Sequence, residues 1–503
     1  MKTLKINNKK IITENFHGIS FIHQLYEYMP DNEHRELTDE QIATEIATLK
    51  KMGVKHVRSF FGGSLTWDEA NQRHNFESAH AMAFYKACKL FEEAGIEVGI
   101  TPQWCLRGFL TEPSEELKQK NTVSLFHSGC YVKDDIDATA KNFEKFIEDM
   151  ANAFERHNVT NVKHLFCFTE CNNTFIKWND GTNKSARERR EYDKVCELFD
   201  KFVSAVDRGL KNAGKRENYK IVGPCDNWRA DDGSEPYSIL VKYCADRLAD
   251  KIDIIGSHNG YDRSSSWTDT DFYDLPEWKL SDPRNRAKSL GKEYYVDEFN
   301  VALHSAWSWG RYNATRNDPM RGVAFGALTN KIMNMGYIHT MYVWALYDQQ
   351  WPDHSSFGGL DPNKGEFYQG VHMVGYLFNL RQTTLPQYPW YAVAMLSRHL
   401  GEGNVFEGDR KGNTYVSAME KENGETTVVL TNYDDIQTEV EINFEKSFEG
   451  KTFYKYIYDP KTVKPTTEIE MIKCSEEKSN INETIKDTLP GYAVVVYTTE
   501  KPE

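Results

Sequence analysis

The sequence predicts an α/β fold, a (β/α)8 TIM barrel over residues 1–400 with a C-terminal antiparallel β-sandwich over residues 401–503. Three observations predict it. From about residue 16 to 400, short apolar runs rich in β-branched and aromatic residues alternate with longer amphipathic stretches. Three of those stretches end in Met52-Gly53, Ala94-Gly95 and Met335-Gly336 and run straight into the next apolar run. Glycine there supplies the positive φ that stops a helix. Beyond Gly401 the texture changes to strictly alternating strands separated by turns.

The barrel strands are predicted, in order, at Phe16–Ser20, Val54–Phe61, Glu97–Trp104, Val162–Glu170, Tyr219–Trp228, Ile252–Tyr261, Glu293–Asn300 and Thr340–Leu346. Helices are predicted at Asp39–Met52, Ala79–Ala94, Ile136–His157, Tyr192–Ala213, Pro236–Ala249 and Pro319–Met335, and a last one ends near Gly401. Eight strands, each separated from the next by a helix or a long excursion, fit a closed parallel barrel. In the sandwich, strands are predicted at Thr414–Ala418, Thr426–Thr431, Thr438–Phe444, Thr452–Tyr458 and Tyr492–Thr498. Residues 1–12 either add a strand to that sandwich or plug the bottom of the barrel.

Bulk properties exclude several function classes. A formal net charge of −14 argues against nucleic acid or any other polyanion, which needs a basic footprint. The sequence contains no run of about twenty apolar residues, the length a membrane-spanning helix needs. The nine cysteines are scattered, odd in number and mostly within apolar runs, which suits free thiols in a reducing compartment. Cys167 and Cys171 lack a second ligand pair at metal spacing, so no metal is expected. The N-terminus has no apolar core of a signal peptide, and the expected location is the cytoplasm. Self-association into a homo-oligomer is compatible with the sequence.

In a (β/α)8 barrel the chemistry sits at the C-terminal ends of the strands. There the sequence places Glu170, closing the fourth strand, and Glu298, closing the seventh. Arg58 lies in the second strand and Trp104 ends the third. Trp228 ends the fifth, His258 and Tyr261 end the sixth, and Trp344 lies in the eighth. Two acids delivered by buried strands far apart in sequence are the equipment for cleaving a glycosidic bond, one giving a proton and the other acting as nucleophile or base. Two carboxylates suffice for that reaction, so no cofactor is expected. Asp297 is the neighbour able to exchange roles with Glu298, but regular strand alternation sends it to the other face.

These strand ends resemble retaining glycoside hydrolases of the large barrel clan, with the acid/base on strand four and the nucleophile on strand seven. Phe168-Thr-Glu170-Cys-Asn-Asn173 followed by Phe175-Ile-Lys-Trp178 is similar to the acid/base strand and loop of the β-xylosidase and α-L-iduronidase family, glycoside hydrolase family 39. Tyr219-Lys-Ile-Val-Gly-Pro224 and Asp253-Ile-Ile-Gly-Ser-His258 resemble its fifth and sixth strands. Val296-Asp-Glu298-Phe-Asn300 also resembles the nucleophile strand of α-L-arabinofuranosidases. The resemblance implies a double displacement on an oligosaccharide or glycoside. In it Glu298 attacks the anomeric carbon, Glu170 is the acid/base, and Arg58 and the Tyr261 hydroxyl are the candidates to keep Glu298 ionised. Trp344 would floor the subsite for the reacting sugar, with Trp104, Trp228 and His258 around it.

One departure matters. The clan places Asn before the acid/base, where its amide meets the sugar's 2-hydroxyl, and here that residue is Thr169. Recognition at C2 must therefore differ, either through Asn172 or Asn173 or because the preferred sugar carries another C2 arrangement, as in mannosides. Two rival readings stay open: a metal-dependent barrel hydrolase drawing on His17, His23, His258 and His304 near strand ends, and a non-catalytic carbohydrate-binding barrel.

Overall fold

Eight parallel strands close into a barrel: Ile19–Ile22, His56–Phe60, Glu97–Thr101, Val162–Phe166, Lys220–Asp226, Ile254–Ser264, Tyr294–Leu303 and Thr340–Val343. They are numbered one to eight below. Each pairs with its neighbours in chain order, and strand eight closes on strand one through Met341–Ile19 and Val343–Phe21. A computed structural model describes residues 1–23, 39–61, 66–68, 70–71, 73–102, 110–111, 131–132, 136–167, 192–226, 239–264, 266, 268, 270–303, 318–344, 386–466 and 470–502. Strand residues such as Val57, Val98, Ile100, Leu165, Ile221, Val222, Ile255 and Val296 are fully buried, as strands covered on both faces require.

Helices α1 (Asp39–Lys51), α2 (Ala79–Glu93), α3 (Ile136–Arg156), α4 (Tyr192–Asn212), α5 (Ile239–Arg247), α6 (Leu275–Ser289), α7 (Pro319–Met335) and α8 (Tyr388–His399) accompany these strands. Their ends carry identifiable signals. Ser78 caps α2 by accepting from the Ala81 N–H at 3.1 Å. Asp318 caps α7 by accepting from the Met320 N–H at 2.9 Å, with Pro319 in the first turn. Gly53, Gly95 and Gly336 all have positive φ, as the helix-stop pattern predicts. Helix α6 escapes sequence reasoning because Leu275–Ser289 carries few apolar residues and holds Pro283 in its interior.

The segment predicted as the first barrel strand, Phe16–Ser20, is divided between two sheets. Lys2–Phe16 is a single long strand that pairs in parallel with Thr438–Phe444 and antiparallel with Gly403–Glu407. Its N-terminal end therefore joins one layer of the C-terminal sandwich and its C-terminal end the other. Of the two placements open for residues 1–12, the sandwich strand is the one observed. The chain turns at Gly18 (φ 82°), where a Cβ would stand 2.5 Å from the Leu400 carbonyl oxygen, so only glycine fits.

The remaining sandwich strands pair antiparallel: Gly403–Glu407 with Thr414–Lys421, then Thr426–Asn432, Ala493–Thr498, Lys451–Tyr458 and Glu476–Ile481, while Thr438–Phe444 also pairs with Thr484–Leu489. Leu4, Ile6, Val416, Leu430, Val440, Ile442, Phe453, Ile485 and Val495 form a core of their own between the layers. The outer face of the larger layer packs on α7. Gly322 lets Tyr458 lie against that helix, with the Tyr458 hydroxyl donating to the Pro319 carbonyl at 2.6 Å. Asn330 donates to Thr431 Oγ1 at 2.9 Å and accepts from Ser417 Oγ at 2.8 Å.

A Cβ at Gly322 would stand 2.6 Å from Tyr458 Cζ. Gly322→Ala is expected to lower the unfolding free energy by about 1–3 kcal/mol through overpacking, read from the denaturant midpoint. An unchanged midpoint would show that the helix–sandwich contact is looser than described.

Candidate active site

Strand seven carries the decisive irregularity. Against strand six, Ser257 pairs with Val296 but His258 pairs with Glu298, so Asp297 is an extra residue. Against strand eight the same stretch is again out of step, between Val296–Met341 and Phe299–Val343. Asn259 is the compensating extra residue on strand six, and regular pairing resumes at Gly260–Phe299. A bulge re-aims side chains at a strand end, and here it breaks the alternation that would have sent Asp297 and Glu298 to opposite faces.

Both carboxylates consequently address one imidazole. His258 Nδ1 lies 2.7 Å from Asp297 Oδ1, and its Nε2 lies 3.3 Å from Glu298 Oε2. His258 and Asp297 are fully buried side chains, while that of Glu298 retains 11% exposure. Glu298 is thus the member of the trio that a molecule at the strand ends can touch. The expectation that Asp297 faces away from the site is corrected: the bulge seats it behind His258. Gly256 makes the seat, since a Cβ there would stand 2.8 Å from Asp297 Oδ2.

Arg58 completes the support. Its guanidinium donates through Nη1 to the Asp297 carbonyl at 2.8 Å and through Nε to Thr101 Oγ1 at 3.1 Å, and it stacks 4.6 Å from the Phe166 ring. One fully buried cation thus ties strands two, three, four and seven together. Burial works to raise the Asp297 pKa. The His258 imidazole and the Arg58 charge more than offset it, so the Asp297 carboxyl is held below its ordinary value.

Beyond Glu298, Asn300 donates to the Trp344 carbonyl and accepts from Arg321 Nη2 at 3.0 Å, while Arg321 Nε donates to the Val301 carbonyl at 3.0 Å. Trp344 is half-buried, donates its backbone N–H to Phe299 at 3.1 Å and sets its ring edge-on to Phe60 at 6.2 Å. Strands two, seven and eight are therefore tied together around Glu298.

Of the predicted site residues, the structure brings together Glu298, His258, Arg58 and Trp344. Glu170, Thr169, Asn172, Trp104 and Trp228 lie outside the described residues. Tyr261 has its backbone in strand six, with its side chain outside them. Sequence reasoning missed Asp297 as a supporting acid, together with Thr101, Gly256, Asn300 and Arg321. Arg321 had a legible signal, being the one charged side chain in the apolar first three turns of α7. Among the histidines weighed as metal ligands, His23 is buried against Glu45 at 2.5 Å and His304 lies outside the described residues. Two groups of His and Glu at ligand spacing do occur among the described residues, at the opposite, N-terminal ends of the strands.

No protein-family model matches the sequence, and no curated protein matches it. Solved structures do match along nearly the whole chain. A GH30 endoxylanase from Clostridium papyrosolvens C71 matches at 12% identity and TM-score 0.60, with 99% of each chain covered. The catalytic domain of GH30 xylanase C from Talaromyces cellulolyticus matches at 11% identity and TM-score 0.61, also over 99% of each chain. A GH51 arabinofuranosidase from Xanthomonas axonopodis pv. citri matches at 12% identity and TM-score 0.59 over 99% of each. At these identities the likeness establishes the fold, a (β/α)8 barrel shared with glycoside hydrolases. The resemblance to family 39 in particular finds no counterpart among these three structures.

Asp297→Ala leaves His258 Nδ1 without its buried acceptor and is expected to cost about 1–3 kcal/mol of stability in denaturant unfolding at neutral pH. The sign of the pH effect follows from the lowered pKa. The stability that Asp297 contributes is in full above the ordinary aspartate value of about 3.9 and is lost as pH falls through the lower folded-state value. The variant should therefore lose less stability than the wild type on acidification. Parallel pH profiles would contradict this assignment.

Proposed function

We propose that this chain is a retaining glycoside hydrolase that cleaves a β-glycosidic or arabinofuranosidic bond in oligosaccharides or glycosides. One observation carries the reading: Glu298, at the bulge of strand seven, is the only partly accessible member of a trio with His258 and Asp297. The fold shared with xylanases and an arabinofuranosidase, over nearly the full chain, supports the same reaction class. The chain order of the strands puts Glu170, three residues beyond Cys167, after strand four.

The proposed chemistry has two balanced steps. Glu298 attacks the anomeric carbon, the bond to the leaving oxygen breaks, and that oxygen takes a proton from Glu170. A water then returns a proton to Glu170 as its oxygen displaces Glu298 from the anomeric carbon, giving net retention. A barrel that keeps His258 against Glu298 restrains the nucleophile's rotamer, and Asp297 keeps the imidazole oriented. Substrate contacts are assigned to Trp104, Thr169, Asn172, Trp228, Tyr261 and Trp344 around the strand ends. Thr169 sets this chain apart at C2 and extends the candidate sugars beyond xylosides to mannosides. The buried thiols Cys88, Cys167, Cys196, Cys225 and Cys244 suit a reducing compartment, and with it an oligosaccharide or glycoside already imported into the cell. The catalytic unit is assigned to residues 1–400, less the N-terminal strand that joins the sandwich, and the sandwich to residues 401–503.

The wild-type chain, screened against aryl xylosides, arabinofuranosides, glucosides, galactosides and mannosides, is expected to release the aryl group from at least one. Glu298→Ala and Glu170→Ala should each lower kcat by several orders of magnitude with the far-ultraviolet dichroism unchanged. Azide should rescue Glu298→Gly and yield a glycosyl azide of inverted anomeric configuration. A product of the substrate's own anomeric configuration would exchange the two roles. Binding without turnover of any glycoside would favour a non-catalytic carbohydrate-binding barrel, and activity abolished by a chelator with the thermal midpoint unchanged would favour a metal-dependent hydrolase.

A further inference from the structure

The opposite mouth of the barrel, where the strands begin, holds a second cluster of chemistry-bearing side chains that the proposed reaction does not use. His56 opens strand two, Glu97 opens strand three and His164 lies in strand four, so adjacent strands present the three together. One ligand atom from each lies within 4.8 Å of the other two. The His56 and His164 rings stand 5.9 Å apart at 76°, and His17 sets its ring 5.5 Å from His56. Two imidazoles on one tetrahedral zinc, with Zn–N about 2.0–2.1 Å, hold their centroids about 5 Å apart, so small side-chain rotations suffice.

The polar atoms of this cluster are under-used by the protein. Among the described residues, neither ring nitrogen of His56 nor Nδ1 of His164 has a hydrogen-bond partner, although all are buried. His56 Nδ1 faces Glu97 Oε2 at 3.5 Å without forming one. Buried polar atoms are normally satisfied, and each exception calls for an explanation.

We propose that the N-terminal mouth of the barrel is a structural site for a divalent ion of the zinc class, ligated by His56, Glu97 and His164. The two-histidine, one-carboxylate set suits zinc and cobalt(II) better than calcium or magnesium, which take oxygen ligands. His17 and Glu402 form a second group with His56 at the same spacing, and His17 Nε2 also faces Glu293 Oε2 at 3.4 Å. The ion would clamp strands two, three and four, the strands that also carry Arg58, Thr101 and Phe166 two to four residues farther on. The site stands at the opposite end of the strands from Glu298 and does not depend on the glycosidase reading.

The test is a calorimetric titration of the chelator-treated full chain with zinc chloride, with cobalt(II) substitution to report tetrahedral coordination by absorption. One ion per chain is expected, with a rise in the thermal midpoint. Glu97→Gln and His164→Gln should each weaken binding at least about 10-fold and abolish the rise. His157→Gln, which alters a histidine paired with Glu77 on the outer surface, should change neither. The Glu97 side chain is 42% exposed, so Glu97→Gln carries the test even where His164→Gln fails to fold. No stoichiometric binding by the wild type, or binding unchanged in Glu97→Gln, overturns the proposal.

Discussion

The buried pairing of Asp297 with His258, braced by Arg58, is the interaction on which the rest of the site depends. A charge removed from water is tolerated only with partners, and three ionisable groups here share a space closed to solvent. Their geometry requires the bulge in strand seven, because a regular strand cannot turn two successive side chains toward one ring. The bulge in turn leaves Glu298 beside His258 with its outer edge accessible. Asp297 and Arg58 are sealed inside, and Glu298 alone of the three acid and base side chains around His258 keeps an accessible edge, as the proposed role of nucleophile requires.

The same economy of buried polar contacts joins barrel to sandwich. The outer face of the sandwich lies on α7, where Gly322 admits the Tyr458 ring and Asn330 exchanges hydrogen bonds with Thr431 and Ser417. Helix α7 also carries Arg321, which fixes Asn300 and Val301 just past Glu298. One helix therefore links the sandwich to strand seven just past Glu298. The long first strand, shared between both sandwich layers before the chain enters the barrel at Gly18, binds the two parts at a second place.

Periodicity made the barrel legible. Strands buried on both faces write continuous apolar runs, and helices of strong amphipathicity such as α3 and α4 fall within a residue or two of their expected ends. Local grammar failed where tertiary contacts decide. Helix α6 has too few apolar positions to announce itself. Phe16–Ser20 spans a change of sheet that only the close approach of Gly18 to Leu400 explains. That Glu298, His258, Arg58 and Trp344 lie near one another was legible, because barrel strands in this fold carry their residues toward one mouth. Asp297 was not, since a bulge is a property of the pairing between strands. Gly256 is the one trace of it, a glycine inside a strand with no turn to make.

The central claim is that Glu298, seated by this buried trio, is the nucleophile of a double displacement. Its most direct measurement is covalent trapping with a panel of activated 2-deoxy-2-fluoro glycosides, which slow hydrolysis of the glycosyl–enzyme, followed by peptide mass spectrometry to locate the label. The account predicts stoichiometric labelling of the peptide containing Glu298, with the sugar on that residue and activity lost in proportion. A label on Glu170 or Asp297, or turnover of the parent glycoside to an inverted product with no label at all, would contradict it.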